Sequence, residues 1–194
     1  TIPCDDLAEG IEKALAKNKV DRAKIVTVAL PTLFGDTAAK IEKVMGGKRP
    51  EHAAYAAHVA RCRSADELAA GRHATAIAEK GYKRMLEIAK PGIREYELAA
   101  DLYCYMKEMG AEDNFLLVSA SQHNQAVRAA GQRRLDVGDI ILSEITPCYQ
   151  GQFVQICRTT VLGEPSAMLK EKYKVLQDAM YRGQEVATPR SEEH

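Results

Sequence analysis

The sequence has no excess of charge of either sign, since 27 lysine and arginine residues balance 27 aspartate and glutamate residues. It shows neither the basic stripe of a nucleic-acid-binding protein nor an acidic tail that would indicate disorder. No apolar run approaches the roughly 18 residues that a membrane span requires, and the N-terminus lacks the pattern of a signal peptide. We therefore expect a protein that binds neither nucleic acid nor a membrane.

Paired cysteines are also missing. The five cysteines are scattered, odd in number and never arranged as Cys-x-x-Cys. This pattern is typical of reduced thiols in a cytoplasmic protein rather than of a disulfide framework. Hydrophobic residues make up 46% of the 194 residues, which is enough for a packed core in one full domain, or in one small domain and part of another.

The first 63 residues predict a small α/β segment. Apolar residues at helical spacing predict a helix over Asp5–Val20, and a second helix over Thr37–Met45 ends at two glycines. Between them, the apolar run within Ala23–Leu30 predicts a buried strand. The stretch Glu51–Arg63 is compatible either with a strand and a linker or with a helix.

A second unit begins at Ser64. Ser64 and Glu67 form a capping-box pattern, which predicts the start of a long helix that ends at Pro91–Gly92. A second helix is predicted over Glu95–Met109 and a strand over Phe115–Ala120. A polar loop follows and leads into the most informative part of the chain.

That part is a predicted β-hairpin. Asp139–Thr146 and Phe153–Leu162 are apolar runs, and a proline, a glutamine and a glycine between them supply turn residues. A turn centred near Tyr149–Gln150 places Glu144 directly opposite Gln155, with Cβ atoms about 5 Å apart. A carboxylate then faces a carboxamide on a pair of strands.

The hairpin resembles that of the pita-bread hydrolases, the family of methionine aminopeptidase, prolidase, Xaa-Pro aminopeptidase and creatinase. The matching residues are a Gly-Asp before the first strand, the glycine of the turn, an Arg-Thr in the second strand and a closing glycine. They are Gly138–Asp139, Gly151, Arg158–Thr159 and Gly163. The resemblance runs from about Ser64 to Ala187, with a weaker match in the N-terminal part.

The resemblance implies an α+β fold, namely the first half of a pita-bread catalytic domain over residues 64–194. Residues 1–63 would form the end of the α/β N-terminal domain that prolidase- and creatinase-type members carry. The second half of such a domain supplies a histidine and two glutamates to the site, and the seven residues 188–194, which follow a last predicted helix from Ser166 to about Ala187, are too few to form that half. We therefore expect a partial chain, or one that has lost catalysis.

Metal-dependent members of the family carry an aspartate on each strand of the hairpin, and the matching residues here are Glu144 and Gln155. Glutamate is a metal ligand, whereas a neutral amide binds a divalent ion far more weakly. Creatinase keeps the fold without a metal, and its hairpin is likewise non-acidic at these positions. We therefore expect no metal and no other cofactor. The pair is expected either to line a polar substrate pocket or to form a hydrogen bond that stabilises the hairpin.

Two residues of the polar loop are further candidates for the site. Arg128 falls where the resemblance places a substrate-side histidine; arginine stays protonated and is no base, but it can bind a substrate carboxylate in bidentate fashion. His123 is the candidate for the catalytic proton-transfer role. The alternative for both is a solvated loop residue without a function. Arg158 is expected to pair with a carboxylate and brace the hairpin.

Three functions are compatible with these residues. We favour a creatinase-type enzyme that hydrolyses a C–N bond, in an amidino or amide group of a small-molecule substrate, without metal. The first alternative is a metal-dependent Xaa-Pro peptidase acting on short peptides, and the second is a non-catalytic, protein-binding relative of the fold. We also expect a homo-oligomer, because prolidase- and creatinase-type members commonly dimerise and a half-domain leaves apolar surface to be covered.

Overall fold

The computed structural model describes residues 2–188. The chain divides between Arg63 and Ser64 into two compact units. Within the described range, no helix is both long and apolar enough to cross a bilayer.

The first unit is built from three short helices. They are α1 (Leu7–Lys17), α2 (Thr37–Val44) and α3 (Ala53–Val59). Asp6 caps α1 by accepting a hydrogen bond from the backbone N–H of Glu9 at 2.8 Å, and Ala8, Ile41 and Met45 form a small core. The two helices predicted from apolar spacing are confirmed, and the ambiguous stretch after Glu51 proves to be a helix.

The strand predicted over Ala23–Leu30 is wrong. The segment and its surroundings instead form two 3₁₀ turns, Arg22–Lys24 and Leu30–Thr32. Among the described residues its backbone pairing is a single parallel bridge between Thr27 and Glu51. Ile25 and Leu30 pack against the small core of this unit, but Val26 and Val28 between them remain 47% and 55% exposed. A strand needs hydrogen-bonding neighbours along its length, and this one lacks them.

The second unit has the predicted order of two helices, a strand, a hairpin and a helix, and this prediction is confirmed. Its elements are α4 (Ala65–Ile88), α5 (Glu95–Glu108), β1 (Asp113–Ser121), β2 (Ile140–Tyr149), β3 (Gln152–Phe153), β4 (Ile156–Val161) and α6 (Ala167–Val186). Strand β2 is central, because it pairs antiparallel with β1 on one side and with β3 and β4 on the other.

One face of this sheet packs against α4 and α5. The main core cluster contains seven buried residues, namely Met85, Leu98, Leu102, Val118, Ala120, Leu135 and Ile141. A second cluster continues the core toward the hairpin tip around Met106 and Ile145. Because side chains alternate across a strand, the opposite face of β1, β2 and β4 is turned away from α4 and α5. Helix α6 buries none of its residues.

The capping box at the start of α4 forms as predicted. Ser64 Oγ accepts a hydrogen bond from the backbone N–H of Glu67 at 3.2 Å, and the Glu67 carboxylate accepts one from the backbone N–H of Ser64 at 2.7 Å. These bonds satisfy two backbone donors that have no partner within the helix. They therefore fix the residue at which α4 begins.

Replacing Ser64 with alanine is expected to lower the free energy of unfolding by about 1 kcal/mol, the usual loss for an N-cap hydroxyl. Urea denaturation followed by circular dichroism measures this change. The matched control is Ser166→Ala, since Ser166 caps α6 through the N–H of Leu169 at 3.3 Å but α6 buries no residue. An equal loss of unfolding free energy in both variants would show that the packing of α4 against the sheet does not increase the cost of losing its N-cap.

Candidate functional site

The hairpin turns at two residues with left-handed backbone conformation. Gln150 has a φ of 47° and Gly151 a φ of 74°, and they join Tyr149 of β2 to Gln152 of β3, which are directly paired. A two-residue turn with positive φ at both positions has the handedness that continues the twist of the flanking strands. The turn therefore lies one residue later than the sequence analysis predicts.

This one-residue shift of the turn changes which side chains face each other. Glu144 lies directly opposite Cys157, not Gln155, so the predicted Glu144–Gln155 register is wrong. The pairs Ile145–Ile156 and Cys148–Phe153 share one register. Counting between them places Gln155 opposite Thr146, on the same face as Glu144 and displaced diagonally from it.

The ladder between the two strands of the hairpin is interrupted at Pro147. Proline has no N–H to donate to a neighbouring strand, and the one bond at this position runs from the N–H of Val154 to the carbonyl of Pro147 at 3.3 Å. Gln155 consequently lies outside β3 and β4, in the gap between them. Its side chain is exposed, whereas that of Glu144 is half-buried.

Glu144 and Gln155 meet in spite of the altered register. The amide nitrogen of Gln155 donates a hydrogen bond to Glu144 Oε2 at 3.1 Å. A diagonal pair on one face of a sheet is within reach of long side chains. The pair therefore stabilises the hairpin, and it leaves the second carboxylate oxygen and the amide oxygen without a partner among the described residues.

The loop between β1 and β2 is fixed to the sheet at both ends. At its start, Asn124 donates hydrogen bonds to the carbonyl of Ser119 at 2.8 Å and to that of Ile140 at 3.2 Å. At its end, the buried carboxylate of Glu95 accepts the backbone N–H of Gly131 and that of Ala120, both at 2.8 Å. We call the face of the sheet that is turned away from α4 and α5 the uncovered face. The segment between these anchors is therefore held beside it.

This loop and the hairpin enclose a cavity of about 250 Å³ next to Glu144. Its walls are Gln125–Val127 from the loop, Leu142–Glu144 from β2 and Cys157–Thr159 from β4. A second cavity of about 560 Å³ shares some of this lining and extends toward α6. Glu144 is the one carboxylate among the residues that line the smaller cavity.

The structure does not bring His123 and Arg128 to the lining of these two cavities. His123 is exposed in the turn after β1, and Arg128 is exposed in the loop. In the described part of the chain neither side chain forms a hydrogen bond or an ion pair. Their catalytic and substrate-binding roles therefore stay predictions.

Arg158 does not form the carboxylate pair expected from the sequence. Its guanidinium donates to the carbonyl of Cys157 at 2.8 Å and lies 5.6 Å from the centre of the Tyr82 ring. A cation over an aromatic face is a favourable contact, so Arg158 braces β4 against α4 by this route. The sequence contained no signal for it, because Tyr82 lies 76 residues earlier on another element.

The two cysteines of the hairpin differ in surroundings. Cys157 is an exposed neighbour of Glu144, whereas Cys148 is buried. Burial raises the pKa of the Cys148 thiol, and the nearby Glu112 carboxylate raises it further. A thiol of raised pKa is a poor nucleophile, so Cys148 serves as a buried packing residue of the hairpin, whereas the exposed Cys157 is no core residue.

Comparison with known proteins places the second unit in a family. The model of metallopeptidase family M24 matches residues 69–192. The chain belongs to metallopeptidase family M24. This membership confirms the resemblance at the level of family and fold, whereas a metal-free, creatinase-type member stays a prediction.

Curated M24 relatives include peptidases of known and unknown specificity. The chain is 30% identical over 124 residues to the uncharacterized peptidase YqhT of Bacillus subtilis, which covers 62% of this chain and 35% of that protein. It is 33% identical over 116 residues to the Xaa-Pro dipeptidase of Pyrococcus furiosus, covering 58% of this chain and 33% of that protein. The matched part is thus about a third of the length of these relatives.

Solved M24 structures share the fold of most of the chain. The prolidase of Pyrococcus horikoshii superposes with a TM-score of 0.77 at 23% identity, covering 96% of this chain and 53% of that one. The X-Pro aminopeptidase of Thermotoga maritima gives a TM-score of 0.77 at 20% identity with the same coverage. The chain therefore has the fold of the first part of these proteins, with an incomplete pita-bread domain.

Membership of a metallopeptidase family implies a metal ion, and the hairpin does not fit one. Of the two positions matched to metal ligands, Gln155 is neutral and turns its amide nitrogen, a donor, toward Glu144. In the described part of the chain, no three His, Cys, Asp or Glu side chains lie close enough together to hold an ion. A two-metal centre depends on several carboxylates, and this half-site offers one.

Sequence reasoning missed two residues at this site. Thr146 lies opposite Gln155, and Phe115 of β1 is paired with Thr146. The available signal was the Gln-Gly dipeptide at 150–151, because a glycine at the second turn position favours a two-residue turn of this type. A turn centred there gives the observed register.

Proposed function

We propose that the protein hydrolyses the C–N bond of a short peptide with an Xaa-Pro-like sequence. The observation that carries this proposal is the β2–β4 hairpin, in which Glu144 lines a cavity on the uncovered face of the sheet and accepts a hydrogen bond from Gln155. Two relatives, 33% and 32% identical to this chain over the aligned residues, are Xaa-Pro dipeptidases. These names favour a peptide substrate over the amidino substrate of a creatinase-type enzyme.

We further propose that this half-site binds the substrate rather than a metal ion. Glu144 supplies one negative charge, and its hydrogen bond from Gln155 fixes the orientation of the carboxylate. A fixed carboxylate can orient a substrate donor or accept a proton at its free oxygen. Both roles depend on the charge of Glu144 and not on a bound cation.

A second candidate function is a protein-binding relative without catalysis. The observation in its favour is the neutral Gln155 at a position matched to a metal ligand, together with His123, which is exposed and has no hydrogen-bond partner among the described residues. A binding module needs neither a charged pair nor a proton-transfer group at this place. The two functions differ in whether the protein turns over a peptide.

Release of proline from alanyl-proline by the purified protein tests the proposal. We expect hydrolysis, and we expect Glu144→Gln to lower kcat/KM about tenfold or more, since a hydrogen bond to a charged group contributes about 1.5–3 kcal/mol and about 1.4 kcal/mol is tenfold. The matched control is Glu164→Gln, which removes an equal charge from an exposed residue that pairs with Lys170. Absence of proline release would leave the binding module as the better proposal.

Elemental analysis after dialysis tests the second part. We expect no stoichiometric manganese, cobalt or zinc at Glu144 and Gln155, and activity that survives a chelator. About one metal ion per chain, lost in Glu144→Ala, would contradict substrate binding by an unmetallated half-site while leaving the peptidase function intact.

A further inference from the structure

Helix α6 presents a largely apolar surface to solvent. It buries none of its residues, although a helix with an apolar face is stabilised mainly by burying that face. The exposed large apolar side chains of α6 are Met168, Tyr173, Val175, Leu176, Met180, Tyr181 and Val186. Among the described residues, α6 therefore has no partner that covers its apolar surface.

One apolar stripe of α6 faces the sheet. A helix turns by about 100° per residue, so residues three, four and seven apart lie along one stripe. Leu169, Tyr173 and Leu176 have this spacing, and all three line the cavity of about 560 Å³ that α6 shares with the sheet. We call these residues the inner stripe, because they point toward the rest of the same chain.

A second apolar stripe faces away from the sheet. Met168, Val175, Ala179 and Val186 form this outer stripe, which lies roughly 100° around the helix axis from the inner stripe. Met168 is 59% exposed, Val175 64% and Val186 72%, and Ala179 is also exposed. The outer stripe is therefore free to contact another molecule.

The outer stripe is symmetric about Gln177. Val175 and Ala179 lie two residues before and after Gln177, and Met168 and Val186 lie nine residues before and after it. When two identical helices pair antiparallel about a two-fold axis, each residue before the centre meets the one equally far after it. Two copies of α6 then pair with valine against alanine near the centre and methionine against valine at each end.

The charges that border the outer stripe follow the same symmetry. Glu171 lies six residues before Gln177 and Arg182 five residues after it, on one border of the stripe. Within the described chain neither forms an ion pair. Antiparallel pairing places Glu171 of each copy beside Arg182 of the other. On the opposite border Lys172 meets Gly183, so no like charges are brought together.

We propose that the outer stripe of α6 is a dimer interface, which pairs antiparallel with α6 of a second copy of this chain. A two-fold interface must be complementary to itself, and this stripe is so both in its apolar residues and in its charges. A partner of different sequence would not require α6 to be symmetric about its own centre. With 20 residues, α6 provides a contact about 30 Å long. The inference goes beyond the proposed peptidase function and does not depend on it.

Sedimentation equilibrium of the protein at several concentrations tests the interface. We expect an equilibrium between the mass of one chain and the mass of two. Val175→Lys is expected to weaken dimerisation at least about tenfold, because it places a charge at the centre of the apolar contact. The matched control, Tyr181→Lys, makes the same change at an exposed residue on the far side of α6 and should leave the dissociation constant unchanged.

Two results of this experiment would overturn the inference. One is the mass of a single chain at every concentration, which would show that α6 does not associate with itself. The other is a dimer that Val175→Lys leaves intact, which would show that the copies associate through another surface. Circular dichroism of each variant verifies that the helix content is retained.

Charge reversal tests the antiparallel orientation. Glu171→Arg and Arg182→Glu should each weaken dimerisation about tenfold, because two exposed ion pairs become two repulsive pairs. The double variant should regain the wild-type affinity. Since salt screens exposed charges, added salt should weaken the wild-type dimer and strengthen that of Glu171→Arg. A parallel pair would keep like charges together in every variant, so an affinity that ignores the single reversals, or is not regained in the double variant, would contradict the proposed interface.

Discussion

Replacing Asp139 with alanine is expected to lower the free energy of unfolding by at least about 3 kcal/mol, because the change removes several hydrogen bonds to a charged group, each worth about 1.5–3 kcal/mol. Asp139 is fully buried. Its carboxylate accepts two hydrogen bonds from the Arg133 guanidinium, one of them at 2.9 Å, and one from the backbone N–H of Asp136 at 2.8 Å. The hydrogen bonds with the guanidinium, together with the negative charge of Asp139, raise the pKa of Arg133.

Urea denaturation of matched variants measures this loss. Asp136→Ala is the control, because Asp136 is exposed and its side chain accepts the N–H of its neighbour Val137; a surface change of this kind usually stays within about 0.5 kcal/mol. The stability of Asp139→Asn should fall between those of the two alanine variants, since the amide keeps one acceptor oxygen. If the two alanine variants are equally stable, the Asp139 carboxylate does not hold the start of β2.

Replacing Glu95 with alanine is expected to cost about 3 kcal/mol as well, because it leaves two backbone N–H groups without acceptors at about 1–3 kcal/mol each. Glu95 is 6% exposed, and Ala120, whose N–H it accepts, is 1% exposed. The second N–H belongs to Gly131. The same change should release the loop that carries His123 and Arg128.

Hydrogen exchange separates the two consequences of the Glu95 change. Amides of residues 122–131 should exchange faster in Glu95→Ala, whereas those of α4 should change only as far as global stability falls. The control is Glu108→Ala, an exposed position at the end of the same helix. Unaltered exchange in the loop would show that Asn124 alone holds it in place.

Helices and strand order were predictable because their signals are local. The capping box at Ser64, the glycines after α2 and the apolar runs of the hairpin each act within a few residues. The register of the hairpin strands was not predicted correctly, because it depends on the turn type. A shift of the turn centre by one residue moves the cross-strand partner of each residue by two positions. The strand at Ala23–Leu30 failed because a strand forms only where a neighbour is present.

The candidate site was predictable in part for the same reason. Glu144 and Gln155 were found from their residue types on the hairpin, and their contact survives the change in register. Thr146 could not be singled out, because an unpartnered hydroxyl is visible only when the surrounding packing is known. The positions of His123 and Arg128 depend on how Glu95 and Asn124 fix the loop. A homo-oligomer and a cytoplasmic location stay predictions.

The break in the ladder at Pro147 has a consequence for how this hairpin can diverge. Residue 155 contributes to neither of the paired segments that flank it, so its side chain is not selected for strand pairing. A substitution there alters the chemistry presented on the uncovered face while β2, β3 and β4 keep their hydrogen bonds. Evolution can therefore exchange aspartate, glutamine or another residue at this place, and with it the preferred ligand, with the side-chain hydrogen bond to Glu144 as the contact that is lost.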